Sequence, residues 1–148
     1  MALVQKIRIR VAGLLVKDGR VLLVCHKKKN KKYWLLPGGG VDLGESLPEA
    51  LVREFREELD IDIAVKDIVY VSDSISPHKK RHIVNVVFKC DYISGEYRLG
   101  ADKRLFDFNF FLSEELDNLV LYPSFREELR AYIDEGVSRD VYLGSCWS

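Results

Sequence analysis

Three glutamates lie close together in the sequence REFREEL, at Glu54, Glu57 and Glu58. In a helix of 3.6 residues per turn, Glu57 and Glu58 would lie within about 60° on either side of Glu54, so that the carboxylates share one stripe. Like charges at these spacings repel, and carboxylates near a helix C-terminus oppose its dipole. A hard cation such as Mg²⁺ or Mn²⁺ would reverse both costs, because it binds carboxylate oxygens. The alternative is a solvated, salt-bridged helix face, and the helix alone favours that alternative.

A glycine-rich segment precedes this cluster and favours the cation site. Gly38, Gly39 and Gly40 are followed by a short loop that contains Gly44. Glycine lets the backbone approach a ligand closely and adopt positive φ. A backbone carbonyl in this segment could therefore complete a metal shell built on the glutamates, although a plain tight turn would use the same residues.

The spacing of these residues closely resembles a known family motif. From Gly39 the sequence runs G-x5-E-x7-R-E-F-R-E-E-L-D-I and resembles the Nudix box, G-x5-E-x7-R-E-U-x-E-E-x-G-U, where U is a bulky aliphatic residue. The matching positions are Gly39, Glu45, Arg53, Glu54, Glu57, Glu58 and Ile61. Phe55 replaces an aliphatic residue but still supplies a core contact. Asp60 replaces the glycine that ends the helix, and Asp tolerates the left-handed conformation better than most residues.

The resemblance implies a Nudix hydrolase, which cleaves a nucleoside diphosphate linked to another group X. It implies Mg²⁺ or Mn²⁺ held by Glu57, Glu58 and the Gly39 carbonyl. It implies that Glu54 is a further ligand or the group that orients or deprotonates the attacking water. It also implies that Arg53 and Glu45 form a structural ion pair between loop and helix.

The substrate is less well determined by the sequence. Pro77, sixteen residues after Ile61, resembles the pattern of the ADP-ribose pyrophosphatase subgroup and favours ADP-ribose or a nucleotide sugar. Nucleoside triphosphates, including oxidised ones, and dinucleoside polyphosphates remain alternatives, as does a nucleotide sensor without hydrolysis. Such a sensor typically lacks box glutamates, and all three are present here.

Three further residues are candidates for substrate binding. Trp34, like its neighbour Tyr33, would stack on a base or pack in the core. Glu96 and Asp102 lie in a predicted loop where the family often places an extra acid near the metals.

Composition limits the class of protein. The chain has 148 residues, 47% of them hydrophobic, which predicts one folded domain over residues 1–148. The zero formal net charge argues against stable binding to nucleic acid or to an anionic membrane. The charge is unevenly placed, however, with a large basic excess in residues 1–40 and an acidic excess in residues 41–66. That distribution suits a ligand with both anionic groups and a metal, or it reflects two faces that neutralise each other.

The cysteines and the N-terminus indicate the compartment. Cys25, Cys90 and Cys146 form no CxxC pair, which argues against a zinc site or a disulfide framework. The N-terminal ten residues carry charge and no long apolar run, which argues against a secretory signal or a membrane helix. We therefore expect a cytoplasmic protein with a small-molecule nucleotide substrate.

The predicted elements place the motif on the one strong internal helix, residues 46–59, with Ser46 and Glu49 as a capping box. Strands precede this helix, three extended segments follow it, and further helices begin at Ser113 and near Phe125. The lysine-rich segment 27–32 is predicted as an exposed loop. This order predicts an α+β fold, an α/β/α sandwich with a mixed β-sheet between helices. Exposed strand edges would permit a homodimer.

Overall fold

The computed structural model describes residues 6–136 and 140–147. Within them lie nine strands, two α-helices and a 3₁₀-helix. In chain order these are β1 (Arg8–Leu14), β2 (Val16–Lys17), β3 (Arg20–Lys28), β4 (Lys31–Leu35), β5 (Gly38–Gly40), α1 (Leu47–Leu59), β6 (Asp62–Ile75), β7 (His82–Ser94), β8 (Leu105–Phe111), the 3₁₀-helix (Ser113–Asn118), α2 (Arg126–Glu135) and β9 (Tyr142–Ser145). Neither α-helix in this part of the chain is long and apolar enough to cross a membrane.

The strands form two sheets rather than one. The first is mixed and has the order β5-β1-β7-β6-β9, with parallel pairing of β1 to β7 and of β6 to β9. In the second sheet, β3 pairs antiparallel with β2, β4 and β8. The predicted α+β architecture, with a mixed sheet flanked by helices, is confirmed. The division into two sheets was not predicted, and it arises at Leu15, where the chain passes from β1 of the first sheet to β2, which pairs with β3 in the second.

Two apolar cores explain why β1 and β3 have almost continuous apolar sequences. In β3, Leu22 and Val24 face the core that contains α1, whereas Val21 and Leu23 face the core that contains α2. Successive side chains of a strand point to opposite faces, so a strand covered on both faces has no polar side.

Helix α1 begins and ends as its sequence predicts. The Ser46 side chain accepts from the Glu49 N–H at 3.2 Å, and the Glu49 side chain accepts from the Ser46 N–H at 3.0 Å. Phe55 is fully buried on the apolar face. Asp60 ends the helix in the left-handed conformation, at φ 56°. The capping box and the tolerance of Asp60 are therefore confirmed.

Two local predictions are wrong, and one element was missed. Segment 27–32 is not a loop, since β3 and β4 continue through it and only Lys29 and Asn30 form the turn, with Lys29 at φ 57°. Ser113 does not cap a helix, because Leu112 holds the cap position and the Ser113 hydroxyl donates to Asp134. Strand β9 was not predicted, because four residues with no alternating pattern become a strand only by pairing with β6.

Gly13 is required where β1 passes under α1. A Cβ atom at this position would lie 2.6 Å from a ring carbon of Phe55 and 2.9 Å from the Cys90 sulfur. We predict that Gly13→Ala lowers the free energy of unfolding by about 1–3 kcal/mol, because it overpacks the core beneath α1. Urea unfolding of the variant measures this change.

Gly40→Ala is the matched control, since a Cβ atom there would meet only the Arg8 guanidinium, at 3.7 Å. Equal stability losses in the two variants would contradict the packing explanation.

Candidate active site

Glu58 lies in the contact between α1 and β5, and its side chain is buried. Its Oε1 accepts a hydrogen bond from the Gly38 N–H at 3.3 Å. Its Oε2 is buried and has no hydrogen-bond donor in the described part of the chain. The carboxyl instead lies beside Glu54, a second acceptor, with which it can hydrogen-bond only when one of the two is protonated. Burial raises the pKa of the Glu58 carboxyl to about 8, although the charge of nearby Arg10 opposes this shift. An unpaired buried carboxylate oxygen is costly, which indicates a site that is completed by a ligand.

The glycines of β5 let Glu54 approach the backbone. A Cβ atom at Gly39 would lie 2.4 Å from the Glu54 carboxyl carbon. Any side chain at position 39 would therefore displace this carboxylate. Backbone carbonyls and carboxylates are the oxygen donors that hard cations take.

Arg53 connects the loop before α1 to the glutamates of the helix. It donates to both Glu45 carboxylate oxygens, at 2.7 and 2.8 Å, and to the Gly40 carbonyl at 3.1 Å. It also donates to Glu54 at 2.9 Å and Glu57 at 3.3 Å, and it lies 3.5 Å from the Asp42 carboxylate. The hydrogen bonds from Arg53 hold the pKa of the Glu45 carboxyl down at about 2. The bidentate pair fixes the loop against the helix.

A cleft of about 680 Å³ opens over these carboxylates. Its wall includes His26 and Tyr33 from the second sheet, and its basic residues are Arg8, Arg10, Arg81 and Arg104. The carboxylates at one side and guanidinium groups around the rest suit a ligand that combines phosphates with a divalent cation.

Comparison with known proteins agrees with this geometry. The family model described as the NUDIX domain matches residues 6–134. The chain belongs to the Nudix hydrolase family. It is 36% identical over 107 residues to an ADP-ribose pyrophosphatase of Methanocaldococcus jannaschii, an alignment that covers 68% of this chain and 62% of that protein. The chain thus spans less than two thirds of that relative's length.

Two further relatives match over most of their own length. The nucleoside triphosphatase NudI of Escherichia coli is 30% identical over 131 residues, which cover 81% of this chain and 92% of NudI. The solution structure of the Escherichia coli ORF135 protein superposes with a TM-score of 0.74 at 26% identity, and covers 91% of this chain and 94% of that protein.

Nudix hydrolases generally use a divalent metal, and the donor set here fits one. The fit rests on the partnerless Glu58 oxygen and on the space at Gly39 that a Cβ atom would fill. The described residues nevertheless contain no group of three acids, histidines or cysteines already placed to hold a metal. In this arrangement Arg53 pairs with Glu54 at 2.9 Å and with Glu57 at 3.3 Å, and the Glu57 side chain is 60% exposed.

The predicted substrate residues fall in three different places. Asp102 lines the cleft and pairs with Arg104 at 3.0 Å. Glu96 does not reach the cleft and lines a separate surface cavity beside Tyr97. Trp34 faces away from the cleft and packs edge-on against Phe111, with ring centroids 4.8 Å apart. The structure therefore brings Asp102 to the cleft with the glutamates and does not bring Glu96 or Trp34 there.

The alternation of β4 explains the position of Trp34. Tyr33 and Leu35 line the cleft, so Trp34 between them must point to the opposite face. Sequence reasoning missed Arg10 and Arg104, which lie far from the motif along the chain. Arg10 does not stand out in the sequence, because it continues the alternating basic series of Lys6 and Arg8 at the start of β1.

Ionisation of Glu45 provides a test of the link between loop and helix. The pKa of Glu45 is lower in the folded protein than its ordinary value of 4.5. The pair with Arg53 therefore stabilises the fold fully above pH 4.5, and that stabilisation is lost as the pH falls toward 2. We predict that Glu45→Gln lowers the melting temperature at pH 7, and that the difference from the wild type shrinks as the pH falls below 4.5. Thermal unfolding at a series of pH values measures it, and a constant difference would contradict the role of the ion pair.

Proposed function

We propose that this protein is a divalent-metal-dependent pyrophosphohydrolase that cleaves a nucleoside diphosphate linked to another group, with ADP-ribose or a nucleotide sugar as its substrate. The observation that carries the proposal is the buried Glu58 carboxyl in the lining of the basic cleft, whose Oε2 has no hydrogen-bond donor among the residues that the structure describes. A cation bound there would satisfy this oxygen and bring positive charge to the substrate's phosphates.

The residues that would hold the cation are Glu57, Glu58 and the Gly39 carbonyl, with Glu54 as a further candidate. All four offer oxygen, which favours Mg²⁺ or Mn²⁺. When bound, such an ion neutralises the pyrophosphate and lowers the pKa of a coordinated water.

Side chains of the protein would activate the water, position the helix and bind the phosphates. Glu54, freed from Arg53, would orient or deprotonate the attacking water. Arg53 would keep α1 fixed to the loop through Glu45. Arg81 and Arg104 at the cleft would bind phosphate oxygens, because guanidinium groups match the geometry of phosphate.

The choice of substrate rests on two observations. Pro77 lies in the turn between β6 and β7, four residues before Arg81 of the cleft. The M. jannaschii relative is named an ADP-ribose pyrophosphatase. A nucleoside triphosphate is the second candidate, because NudI, named a nucleoside triphosphatase, is matched over 92% of its length.

The proposed setting is a single domain over residues 1–148 in the reducing cytoplasm. The cysteines support this setting, since Cys25 and Cys90 are buried and Cys146 is free as well.

A panel of substrates tests the proposed activity. The protein is incubated with Mg²⁺ and, separately, with ADP-ribose, a nucleotide sugar, a nucleoside triphosphate and a dinucleoside polyphosphate. We predict that ADP-ribose gives AMP and ribose 5-phosphate with the highest kcat/KM, measured by chromatography of the products. Preferential release of pyrophosphate from the triphosphate would favour the second candidate. Tight binding of one compound with no turnover of any would indicate a nucleotide sensor.

Replacing the buried carboxylate tests the metal assignment. We predict that Glu58→Gln lowers kcat at least about 100-fold, since even the outer partners of metal ligands cost 10–100-fold when removed. Without metal, the variant should melt at about the same temperature near pH 7, because a pKa of about 8 leaves the buried Glu58 carboxyl mostly protonated, and the amide that replaces it is neutral as well. Mg²⁺ should stabilise the wild type, by about 2.7 kcal/mol at 100 times its Kd, and leave the variant unchanged.

The matched control is Glu114→Gln, which removes an exposed carboxylate on the 3₁₀-helix. It should retain both the activity and the shift with Mg²⁺. Near-normal turnover by Glu58→Gln would contradict its role as a ligand.

A further inference from the structure

The hairpin of β3 and β4 carries five lysines within six residues: Lys27, Lys28, Lys29, Lys31 and Lys32. The ladder pairs Lys27 directly with Lys32, and Lys28 directly with Lys31. All five side chains are exposed. The structure thus turns a lysine-rich sequence into two facing rows of like charge on a rigid ladder.

This arrangement is unfavourable for the hairpin by itself. Like charges directly opposite each other on paired strands are destabilising. None of the five lysines forms an ion pair with a carboxylate in the described residues, where every ion pair uses an arginine or a histidine. A polyanion bound along the hairpin would remove this repulsion.

Aromatic rings adjoin the lysine rows on both faces. On one face, the Lys32 ammonium lies 4.0 Å from the ring centroid of Phe106, which is 46% exposed. On the other, the rings of Tyr33 and Tyr122 lie 4.8 Å apart, and Tyr122 is 37% exposed. Phosphate-binding cations interleaved with exposed aromatic rings are the combination that binds single-stranded nucleic acid, whose bases stack while its phosphates pair with lysine.

The two lysine rows have different positions relative to the cleft. Side chains alternate along a strand, so Lys28 shares a face with His26, and Lys31 shares a face with Tyr33. His26 and Tyr33 line the cleft. The pair of Lys28 and Lys31 therefore continues the wall of the cleft outward, about 7 Å beyond His26.

We propose that the hairpin of Lys27–Lys32, with Tyr122, is a binding site for single-stranded nucleic acid at the mouth of the cleft. The zero net charge of the chain excludes attraction of nucleic acid by the whole surface, but not binding at one strongly basic element. This binding is a function beyond the proposed hydrolysis and does not depend on it. Glu58→Gln should therefore bind nucleic acid as the wild type does.

Binding is measured by fluorescence anisotropy of a labelled single-stranded oligonucleotide at several salt concentrations. We expect log K to fall with log salt, with a slope of about −0.7 for each phosphate contacted. Lys28→Gln with Lys31→Gln should make that slope shallower by about 1.4, which corresponds to two lost contacts.

The control variant is Lys66→Gln with Lys89→Gln, which removes two exposed lysines from the other sheet. It should bind as the wild type does. Equal loss of binding in the two double variants, or no binding by the wild type at low salt, would overturn the proposal.

A single substitution separates the binding role from a structural one. Lys31→Glu places a carboxylate opposite Lys28 and converts a repulsive pair into an attractive one. We expect this variant to melt at a higher temperature than the wild type and to bind the oligonucleotide more weakly. Unchanged binding would overturn the proposal, even if the melting temperature rises.

The contribution of the aromatic rings distinguishes nucleic acid from phosphate alone. Tyr122→Ala should weaken the oligonucleotide complex at least about fivefold, because a stacked base is lost, and should leave the binding of inorganic polyphosphate unchanged. An equal effect on both ligands, or none on either, would overturn the assignment to nucleic acid and leave a site for phosphate chains in its place.

Discussion

The close approach of helix α1 to the glycine strand β5 is the contact on which the rest of the site depends. At Gly39 the Glu54 carboxylate occupies the space of a Cβ atom, and at Gly38 the backbone N–H reaches Glu58. This proximity buries Glu58, leaves one of its oxygens without a partner and raises its pKa to about 8. Burial of this carboxyl is locally unfavourable, so the contacts around it must stabilise the approach of α1 to β5.

The contacts that hold it lie on both sides of the helix. Fully buried Phe55 anchors the apolar face, and the capping box of Ser46 and Glu49 fixes the first turn. Arg53 ties the helix to its loop through Glu45, and shares its remaining donors between Glu54 and Glu57. The same arginine therefore fixes the backbone and neutralises the carboxylates. The cation that we propose would compete with Arg53 for Glu54 and Glu57, because these carboxylates are not already arranged as a set of metal ligands.

The uneven charge of the sequence has two different explanations in the structure. Part of the basic excess does neutralise the acidic segment, as the charge of Arg10 acting on buried Glu58 illustrates. The lysines of the β3–β4 hairpin do not, since they have no carboxylate partners in the described residues and face one another across the ladder. Electrostatic balance explains Arg10 and Arg104 at the cleft, whereas the exposed hairpin lysines are the surface that we propose binds a partner from outside the chain.

The sequence by itself determined helix α1, its caps, the stripe of glutamates and the family, because these depend on residues within one short segment whose spacing sets their direction. It also determined the alternation of mixed strands and helices. It could not decide that Tyr33 faces the cleft and Trp34 faces away from it, because either residue suits either face. The register of β4 against β3 decides which side chain points to which face. Nor could it bring Arg10 and Arg104 to the carboxylates, or divide the strands into two sheets. Those outcomes depend on contacts between residues far apart in the chain, and the energies of such contacts cannot be read from a local sequence pattern.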